Sequence, residues 1–343
     1  MKMKNRKYLA LAIAVSLGFA LTACSSTSIS QVTAPITETV SSPSIVLDST
    51  RMMTHLTAFQ KIAQANGGNR AVGTKGGMAS AKYIYDEAKK AGLNVQMIPF
   101  KNEDKVVGQN ILVEIAGQDI NSVVMLGAHY DSVKAGPGIN DNASGVALLL
   151  DLMRQITAQK EKPKQTIVLA FWDSEEAGIA GSQNYVKKLS PEQLKGIKAY
   201  INIDMVGTKN PKAMVFDASK STIVNLADDF KDVDITESQL TELIDRLKAV
   251  PTHPQDIVLE EKLTTFFGKN GIVVKKDIST PTASDTAGFL GKVPIASIIL
   301  FGQDKGEFAP CYHKKCDTLE HIDPKSLQIA GDAVTYLLDS LSK

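Results

Sequence analysis

Residues 122–131 read SVVMLGAHYD, an almost wholly apolar run that ends in a histidine and an aspartate. A run of this kind is typical of a strand that is buried on both faces of a sheet. Short apolar runs also lie at residues 166–171, 197–203 and 295–300, and helical patterns separate them. Strands that alternate with helices predict an α/β fold, with a mostly parallel mixed central sheet and helices on both faces.

The rest of the chain divides into further strands and helices. Apolar alternation and turn residues predict strands at residues 94–100, 109–115, 213–216 and 272–275. Apolar residues at helical spacing predict helices at residues 51–66, 79–91, 146–156, 181–189 and 324–341, and glycines close the first two. Residues 219–268 carry helical patterns with several charges.

The first 23 residues have the features of a signal peptide. Four basic residues precede an apolar stretch, residues 9–21, which is too short to span a bilayer. That stretch ends in LTAC, residues 21–24, which resembles the lipobox of bacterial lipoproteins, so Cys24 is predicted to carry the lipid. The alternative is an ordinary secretory signal followed by a chance cysteine. Ser25 is not acidic, and this favours an anchor in the outer membrane, facing the periplasm or the surface.

Residues 24–50 are rich in Ser, Thr and Pro and lack a helical period, which predicts a flexible tether between the lipid and the folded chain. Residues 51–343 are long enough to form one large domain with a substantial core. Loss of residues 1–23, with their four basic side chains, changes the formal net charge from +1 to −3. A charge so close to neutral gives no electrostatic footprint for nucleic acid.

Cys311 and Cys316 form the remaining pair of cysteines once Cys24 is assigned to the lipid. An exported protein meets an oxidising compartment, which favours a disulfide, although two free thiols or a metal site are alternatives. A disulfide across so short a loop adds little to bulk stability. It would instead stiffen the turn that contains His313.

Five residues that can bind metal ions stand at or near the ends of apolar runs. Ligand sites in sheets of this kind lie beyond the carboxyl ends of the strands, so we expect the five to meet at one edge. Two histidines and three carboxylates suit a pair of divalent cations such as zinc, which accepts imidazole nitrogen and carboxylate oxygen. They are His129, Asp141, Glu176, Asp204 and His313.

Each of these residues also has a structural explanation when it is taken alone. A histidine that leaves a buried strand can be a core histidine, an aspartate near a helix start can be a cap, and paired glutamates are commonly solvated. Glu175 and Glu176, however, directly follow a buried strand. This position favours Glu176 as a ligand and Glu175 as the general base for an activated water. Asp131 stands two residues after His129 and can hold its other ring nitrogen.

Other polar residues are weaker candidates. Tyr312 precedes the last candidate ligand, and its hydroxyl can hydrogen-bond the oxyanion of a tetrahedral intermediate. Ser284 and Asp285 form either a cap or part of a substrate rim. Three histidines have no partner pattern and are predicted at the surface: His55, His253 and His321.

Five segments occur in a fixed order along the chain: GAHYDS (127–132), GINDNASG (138–145), FWDSEEAG (171–178), INIDMVG (201–207) and CYHKKCDT (311–318). Together they resemble the zinc aminopeptidases of the M28 peptidase family, bacterial leucyl-type enzymes with co-catalytic zinc. The resemblance implies a phosphorylase/hydrolase-like zinc-peptidase fold and two Zn²⁺ per chain. It also implies a substrate that is a peptide with a free N-terminus.

The resemblance assigns a role to each candidate residue. It implies one zinc held by His129 and Asp204, the other held by Glu176 and His313, and Asp141 as the bridge. It also implies Glu175 as the general base, Asp131 as the partner of a ligand, and a cis peptide bond after the bridging aspartate. Such bonds between non-proline residues are costly and usually functional.

Two departures from the family pattern stand out. Residues 284–286 read Ser-Asp-Thr where many members have Ser-Asp-His, and residues 219–268 are long enough to predict a helical insertion. Three alternatives to an aminopeptidase remain. They are a carboxypeptidase or dipeptidase of the same fold, a glutaminyl cyclase with one zinc, and a non-catalytic surface-binding lipoprotein.

Overall fold

The computed structural model describes residues 45–226, 235–302 and 308–342. The predicted signal peptide, the predicted lipid site at Cys24 and residues 25–44 of the predicted tether lie outside these described residues. Within the described ranges, no helix is both long enough and apolar enough to cross a bilayer.

A single sheet runs through the domain, and the described residues contribute eight strands to it. In chain order they are β1 (Val95–Lys101), β2 (Val107–Ile115), β3 (Asp119–His129), β4 (Gln165–Trp172), β5 (Ile197–Asp204), β6 (Lys212–Phe216), β7 (Val274–Asp277) and β8 (Ile295–Phe301). Their spatial order is β1-β2-β4-β3-β5-β8-β6-β7. The central strands β4, β3, β5 and β8 are mutually parallel, whereas β1/β2, β2/β4 and β6/β8 are antiparallel. The predicted mostly parallel mixed sheet is confirmed.

Helices cover both faces of this sheet. In chain order the described helices are α1 (Ser49–Ala65), α2 (Lys75–Lys90), α3 (Ser144–Thr157), α4 (Ala180–Val186), α5 (Pro191–Gly196), α6 (Glu237–Lys248), α7 (Asp256–Lys269) and α8 (Pro324–Leu341). The larger apolar core packs α1, α2, α3, α7 and α8 against one face, and the smaller core packs α4 and α5 against the other.

The packing of strand β3 explains why its second half is apolar. Side chains alternate between the two faces of a strand. Leu126 and Ala128 accordingly enter the larger core, and Met125 enters the smaller one. The first three residues of β3 are exposed and include Asp119 and Asn121, but from Val123 to Ala128 both faces are covered and every residue is apolar until the strand ends at His129.

The folded structure includes residues that the sequence assigned to the tether. Leu47 is buried, and the Asp48 carboxylate caps α1 by accepting a hydrogen bond from the Thr50 N–H at 2.7 Å. The Asp48 N–H in turn donates to the buried carboxylate of Asp151 at 2.9 Å. Residues 47–50 therefore belong to the folded part of the chain and not to the flexible tether predicted over residues 24–50.

His55 is buried and does not lie at the surface as predicted. It stands on α1 between Met52 and Phe59, which are both buried, so its position belongs to the apolar stripe of the helix. Its Nδ1 lies 2.7 Å from the hydroxyl oxygen of Tyr83, which satisfies one ring nitrogen inside the core.

The region at residues 219–268 contains the helices that its pattern predicted. None of the side chains of α6, which lies wholly in the described part of the chain, is fully buried. In contrast, α7 buries Leu259, Leu263 and Phe267 beside β6 and β8. The helical insertion predicted at residues 219–268 stays a prediction.

Candidate metal centre

The central strands deliver the candidate residues to one edge of the sheet. Strand β3 ends at His129, and its parallel neighbour β5 ends at Asp204. In the register of β3 and β4, His129 lies opposite Trp172, so Glu175 and Glu176 emerge directly beside it. Parallel strands place their carboxyl ends together, which explains why residues so distant in sequence meet here.

Two groups of three residues lie close enough to hold metal ions. His129, Asp141 and Asp204 form one group, and Asp141, Glu176 and His313 form the other; in each, the potential ligand atoms lie within 4.8 Å of one another. Asp141 belongs to both groups. Its Oδ1 lies 3.3 Å from Nε2 of His129, and its Oδ2 lies 3.1 Å from Nε2 of His313. The two oxygens of one carboxylate thus face two different histidines.

The remaining carboxylates complete each group. Oδ1 of Asp204 lies 3.6 Å from Nε2 of His129, and Oε2 of Glu176 lies 3.1 Å from Nε2 of His313. Within the described residues, the buried oxygens Oδ1 of Asp204 and Oε1 of Glu176 have no hydrogen-bond partner. Buried polar atoms normally have one. These unpartnered oxygens, together with the imidazole nitrogens, fit divalent zinc at this site.

The charges of the centre also suit cations. Burial and the neighbouring Asp141 raise the pKa of Glu176 to about 7. Burial alone would lower the pKa of His313, but hydrogen bonds to Asp141 and Glu176 raise it to about 10. Burial likewise opposes the protonation of His129, yet the charges of Glu175 and Asp204 raise its pKa well above the ordinary value. So many carboxylates in a buried space hold positive charge strongly.

Asp131 does more than the sequence suggested. Its Oδ1 lies 3.5 Å from Nδ1 of His129, the ring nitrogen that faces away from the other ligands. The same carboxylate accepts hydrogen bonds from the backbone N–H groups of Glu175 at 3.1 Å and Glu176 at 3.3 Å. Asp131 therefore links the chain after β4 to the chain after β3.

The loop that carries His313 is closed by a disulfide, as the sequence favoured. Cys311 and Cys316 are joined with a Cα–Cα distance of 5.3 Å. Inside the loop, the ring of Tyr312 stacks on that of His313 with a centroid distance of 3.8 Å. Burial and the nearby carboxylates raise the pKa of Tyr312, so its hydroxyl keeps its proton and can donate a hydrogen bond.

Ser284 and Asp285 do not form a rim, because both are buried. Ser284 Oγ donates to Oδ2 of Asp204 at 2.8 Å and accepts a hydrogen bond from Nδ2 of Asn202 at 2.9 Å. Ser284 therefore holds one oxygen of Asp204 and leaves the other free for a ligand. Asp285 begins a short 3-10 turn, and burial raises the pKa of its carboxyl to about 7.

Sequence reasoning missed two residues that fix the loop around Asp141. The buried Asp317 carboxylate accepts hydrogen bonds from the N–H groups of Asn140 at 2.8 Å and Asp141 at 3.0 Å. Asn142 donates to the carbonyl of Ile203 at 2.9 Å, which ties this loop to the end of β5. The peptide bond between Asp141 and Asn142 is cis, at the position that the resemblance implied. Asp317 stood within the CYHKKCDT segment, and its place beside Cys316 was the one indication of a role.

The sequence profile of peptidase family M28 matches residues 110–338. This chain belongs to peptidase family M28. The resemblance drawn from the five segments is therefore confirmed. The M28 chain is 31% identical over 288 residues to leupeptin-inactivating enzyme 1 of Streptomyces exfoliatus, covering 84% of this chain and 60% of that protein. It is 33% identical over 243 residues to the probable lipoprotein aminopeptidase LpqL of Mycobacterium tuberculosis, covering 66% of this chain and 44% of that protein. The M28 chain thus spans less than two thirds of the length of either relative.

Solved structures confirm the fold of the M28 chain. A zinc aminopeptidase from Bacillus subtilis superposes with a TM-score of 0.65 at 18% identity, covering 86% of this chain and 95% of that one. Glutaminyl cyclase from Porphyromonas gingivalis superposes with a TM-score of 0.63 at 19% identity, covering 86% of this chain and 98% of that one. Two different chemistries thus occur on this fold, so the activity of the M28 chain has to be argued from its site.

Proposed function

We propose that this M28 chain is a zinc-dependent aminopeptidase that removes amino acids from the N-termini of peptides. The observation that carries the proposal is the shared carboxylate of Asp141, whose two oxygens face two separate histidines. Each histidine has a further carboxylate beside it, so the chain offers two complete sets of ligands. The names of the relatives, among them a probable lipoprotein aminopeptidase, support the same activity.

The proposed ligands follow from the two groups. His129 and Asp204 would hold one zinc, Glu176 and His313 would hold the other, and Asp141 would bridge them. Zinc bound at such a site polarises a carbonyl group and lowers the pKa of a water molecule.

Glu175 is proposed as the general base. Its Oε2 lies 4.0 Å from Nε2 of His129, so it borders the centre without belonging to either group of ligands. Burial raises the pKa of Glu175 well above its ordinary value, so its carboxylate holds a proton more strongly than an exposed glutamate does. Glu175 would accept a proton from the attacking water and pass it to the amine that leaves.

Two further features orient the peptide. Tyr312 keeps its proton and would donate a hydrogen bond to the oxygen of the attacked carbonyl as negative charge develops there. The surplus of carboxylates around the centre attracts a positively charged α-amino group, which favours cleavage at a free N-terminus. A carboxypeptidase would instead need an accessible cation at the site to bind the C-terminal carboxylate.

The chain is also proposed to act in the bacterial envelope, held by a lipid on Cys24. The LTAC segment carries this proposal, and the relative that is named a lipoprotein aminopeptidase supports it.

A pair of peptides that differ only at the N-terminus tests the activity. We expect the zinc-loaded chain to release the first residue of a free-amine peptide and to leave its N-acetylated twin intact. Glu175→Gln is expected to lower kcat by about 10²- to 10⁴-fold, the usual contribution of a general base, with zinc content unchanged. Glu261→Gln, an exposed glutamate on α7, is the matched control and should keep full activity.

Three outcomes would contradict the proposal. Equal cleavage of the blocked and the free peptide would point to an endopeptidase. Formation of pyroglutamate from a peptide that begins with glutamine, without hydrolysis, would identify a glutaminyl cyclase. Full activity of Glu175→Gln would remove Glu175 from the mechanism.

A further inference from the structure

We propose that Arg70 is a positioning residue of the metal centre, which it serves by holding together the two ends of the loop between His129 and Asp141. This inference rests on the proposed function, because it concerns the same pair of cation sites. In sequence, Arg70 lies between α1 and α2, well before the strands that carry the candidate ligands. It does not belong to either group of candidate ligands.

The guanidinium of Arg70 is fully buried and is occupied by backbone carbonyls of a single loop. Its Nε donates to the carbonyl of Pro137 at 2.8 Å, and its Nη2 donates to the carbonyl of Gly138 at 2.5 Å. Its Nη1 donates to the carbonyl of Tyr130. The backbone N–H of Arg70 also donates, to Oγ of Ser132 at 2.9 Å. One side chain thus joins the first and the last residues of the loop 130–138.

The ends of this loop carry the candidate ligands. Tyr130 directly follows His129, and Gly138 stands three residues before Asp141. A shift of either end would change the distance between Nε2 of His129 and Oδ1 of Asp141, which is 3.3 Å in the structure. Without the guanidinium, three buried carbonyls would lose their donor, and buried polar groups without partners are unfavourable. We therefore expect the loop to shift so that these carbonyls find other donors.

Charge supports the same role. In the described part of the chain, no carboxylate lies within ion-pair distance of Arg70. Burial lowers its pKa to about 10, and the charges of Asp131, Asp317 and Asp141 offset part of this effect. The guanidinium carbon lies 5.2 Å from the ring centroid of Phe59, and this cation–π contact stabilises the positive charge of Arg70. Arg70 therefore serves the loop through its hydrogen bonds and not through an ion pair.

The loop is packed closely around the guanidinium. Gly138 adopts a φ of +61°, and a Cβ atom there would lie 2.3 Å from the carbonyl oxygen of Asp141 and 3.1 Å from Nη2 of Arg70. The three groups therefore occupy one compact arrangement. Lysine is not equivalent to arginine in such a place, because an ammonium group lacks the planar fork that reaches several acceptors at fixed angles.

The experiment compares zinc affinity in Arg70→Lys, Arg70→Gln and the wild type. Purified chains are stripped of metal, checked for folding by circular dichroism, and titrated with zinc in a calorimeter. Cobalt-loaded samples report the geometry of the ligands through their visible absorption. We expect both variants to bind zinc about 10- to 100-fold more weakly, as is typical when partners of metal ligands are removed, and the cobalt spectrum to change.

Arg51→Lys is the matched control. Arg51 donates to the buried carboxylate of Asp151 on α3, and neither residue belongs to the loop 130–138 or to a group of candidate ligands. It should lower the stability of the metal-free chain and leave zinc affinity unchanged. If Arg70→Gln does not fold, Ser132→Ala, which removes only the hydroxyl that accepts from the Arg70 N–H, is expected to weaken zinc binding a few-fold.

Two results separate the proposals. Zinc affinity and cobalt spectra of Arg70→Lys that equal those of the wild type would overturn the role of Arg70, even if stability fell. A wild-type chain that binds no zinc, or binds it and does not cleave peptides, would instead overturn the proposed function.

Discussion

Asp141 lies at the middle of the candidate centre, and hydrogen bonds from distant segments hold its backbone and the next residue. Asp317 accepts a hydrogen bond from its N–H, and Asn142, the next residue, bonds to the end of β5. The carboxylate is thereby presented to His129 on one side and His313 on the other. If Asp141 bridges two cations as proposed, this support lowers the cost of binding, because a freely rotating carboxylate loses side-chain entropy when it is fixed.

His55 is a single residue whose burial has a measurable consequence. Burial lowers its pKa below the ordinary value of 6.5, and charges on Glu87, Arg154, Asp151 and Lys90 act on it in both directions. The folded protein therefore takes up this proton at a lower pH than the unfolded chain does. The contribution of the neutral His55 to the free energy of unfolding is fully present above about pH 6.5. It is lost as the pH falls from there through the lowered pKa of the folded protein.

His55→Gln is expected to remove this part of the pH dependence. Urea unfolding of the wild type and the variant should give a free-energy difference that is constant above about pH 7.5. The difference should shift in favour of the variant as the pH falls below about 6.5, where the unfolded wild type binds the extra proton. Thr54→Ala, an exposed neighbour on α1, leaves His55 buried with its Tyr83 partner and should keep the wild-type slope. Parallel curves for wild type and His55→Gln would contradict the assignment.

Strand geometry could predict the meeting of residues that directly follow strands, whereas Asp141 and His313 were predicted from the GINDNASG and CYHKKCDT segments. Strand ends converge in a parallel sheet, so His129, Asp204 and the glutamates after β4 could be expected to meet. Ser284 and Asp317 could not be foreseen, because their roles depend on partners that lie far away in sequence. A lone Ser-Asp or Asp-Thr pair carries no information about such partners.

The first turn of α3 lies very close to the end of β5. Gly145 lies in the first turn of α3, and a Cβ atom there would stand 2.5 Å from the carbonyl oxygen of Ile203 and 2.6 Å from Oδ1 of Asn142. Neither neighbour can move freely, because the Asn142 side chain already bonds to Ile203 and to the Gly145 N–H. The close approach of helix and strand brings Asp141 and Asp204 together.

Gly145→Ala is therefore expected to destabilise the chain by about 1–3 kcal/mol, the usual cost of overpacking, and to lower kcat/KM by displacing the end of β5. Gly268→Ala is the matched control. Gly268 lies inside α7 with no atom within 4 Å of an added Cβ, so alanine should be neutral or stabilise by about 0.5–1 kcal/mol. Unfolding in urea and peptide assays measure both variants. If the two variants have the same free energy of unfolding and the same kcat/KM, α3 and β5 can separate without cost and the prediction is wrong.

Elements with a strong period were predicted within a few residues of their ends, because burial of an apolar face decides both the pattern and the structure. The helix predicted at residues 324–341 agrees with α8. The short α5 was missed, since it buries no side chain and is defined only by the capping box of Ser190 and Gln193. The antiparallel pairing of β1, β2 and β6 was not predicted either, because pairing depends on contacts between distant segments.

The candidate metal centre connects segments from most of the chain. The candidate ligands lie at the ends of β3 and β5 and in the chain after β3, β4 and β8, and these strands form the middle of the sheet. Metal that binds only the folded arrangement stabilises it by mass action. The unfolded chain lacks the arrangement, since its ligands are far apart in sequence.

Removal of zinc is therefore expected to lower the stability of the entire domain. With free zinc at about 1,000 times its dissociation constant, linkage gives about 4 kcal/mol. For a domain of this size that corresponds to a melting temperature about 8 °C higher than in chelator. Differential scanning calorimetry in zinc and in chelator measures the shift. Asp141→Asn, which replaces the carboxylate shared by both groups with an amide, should reduce the rise in melting temperature that zinc causes while leaving the sheet intact. An identical melting temperature in both buffers would mean that these side chains hold no metal, because binding to the folded state alone cannot leave its stability unchanged.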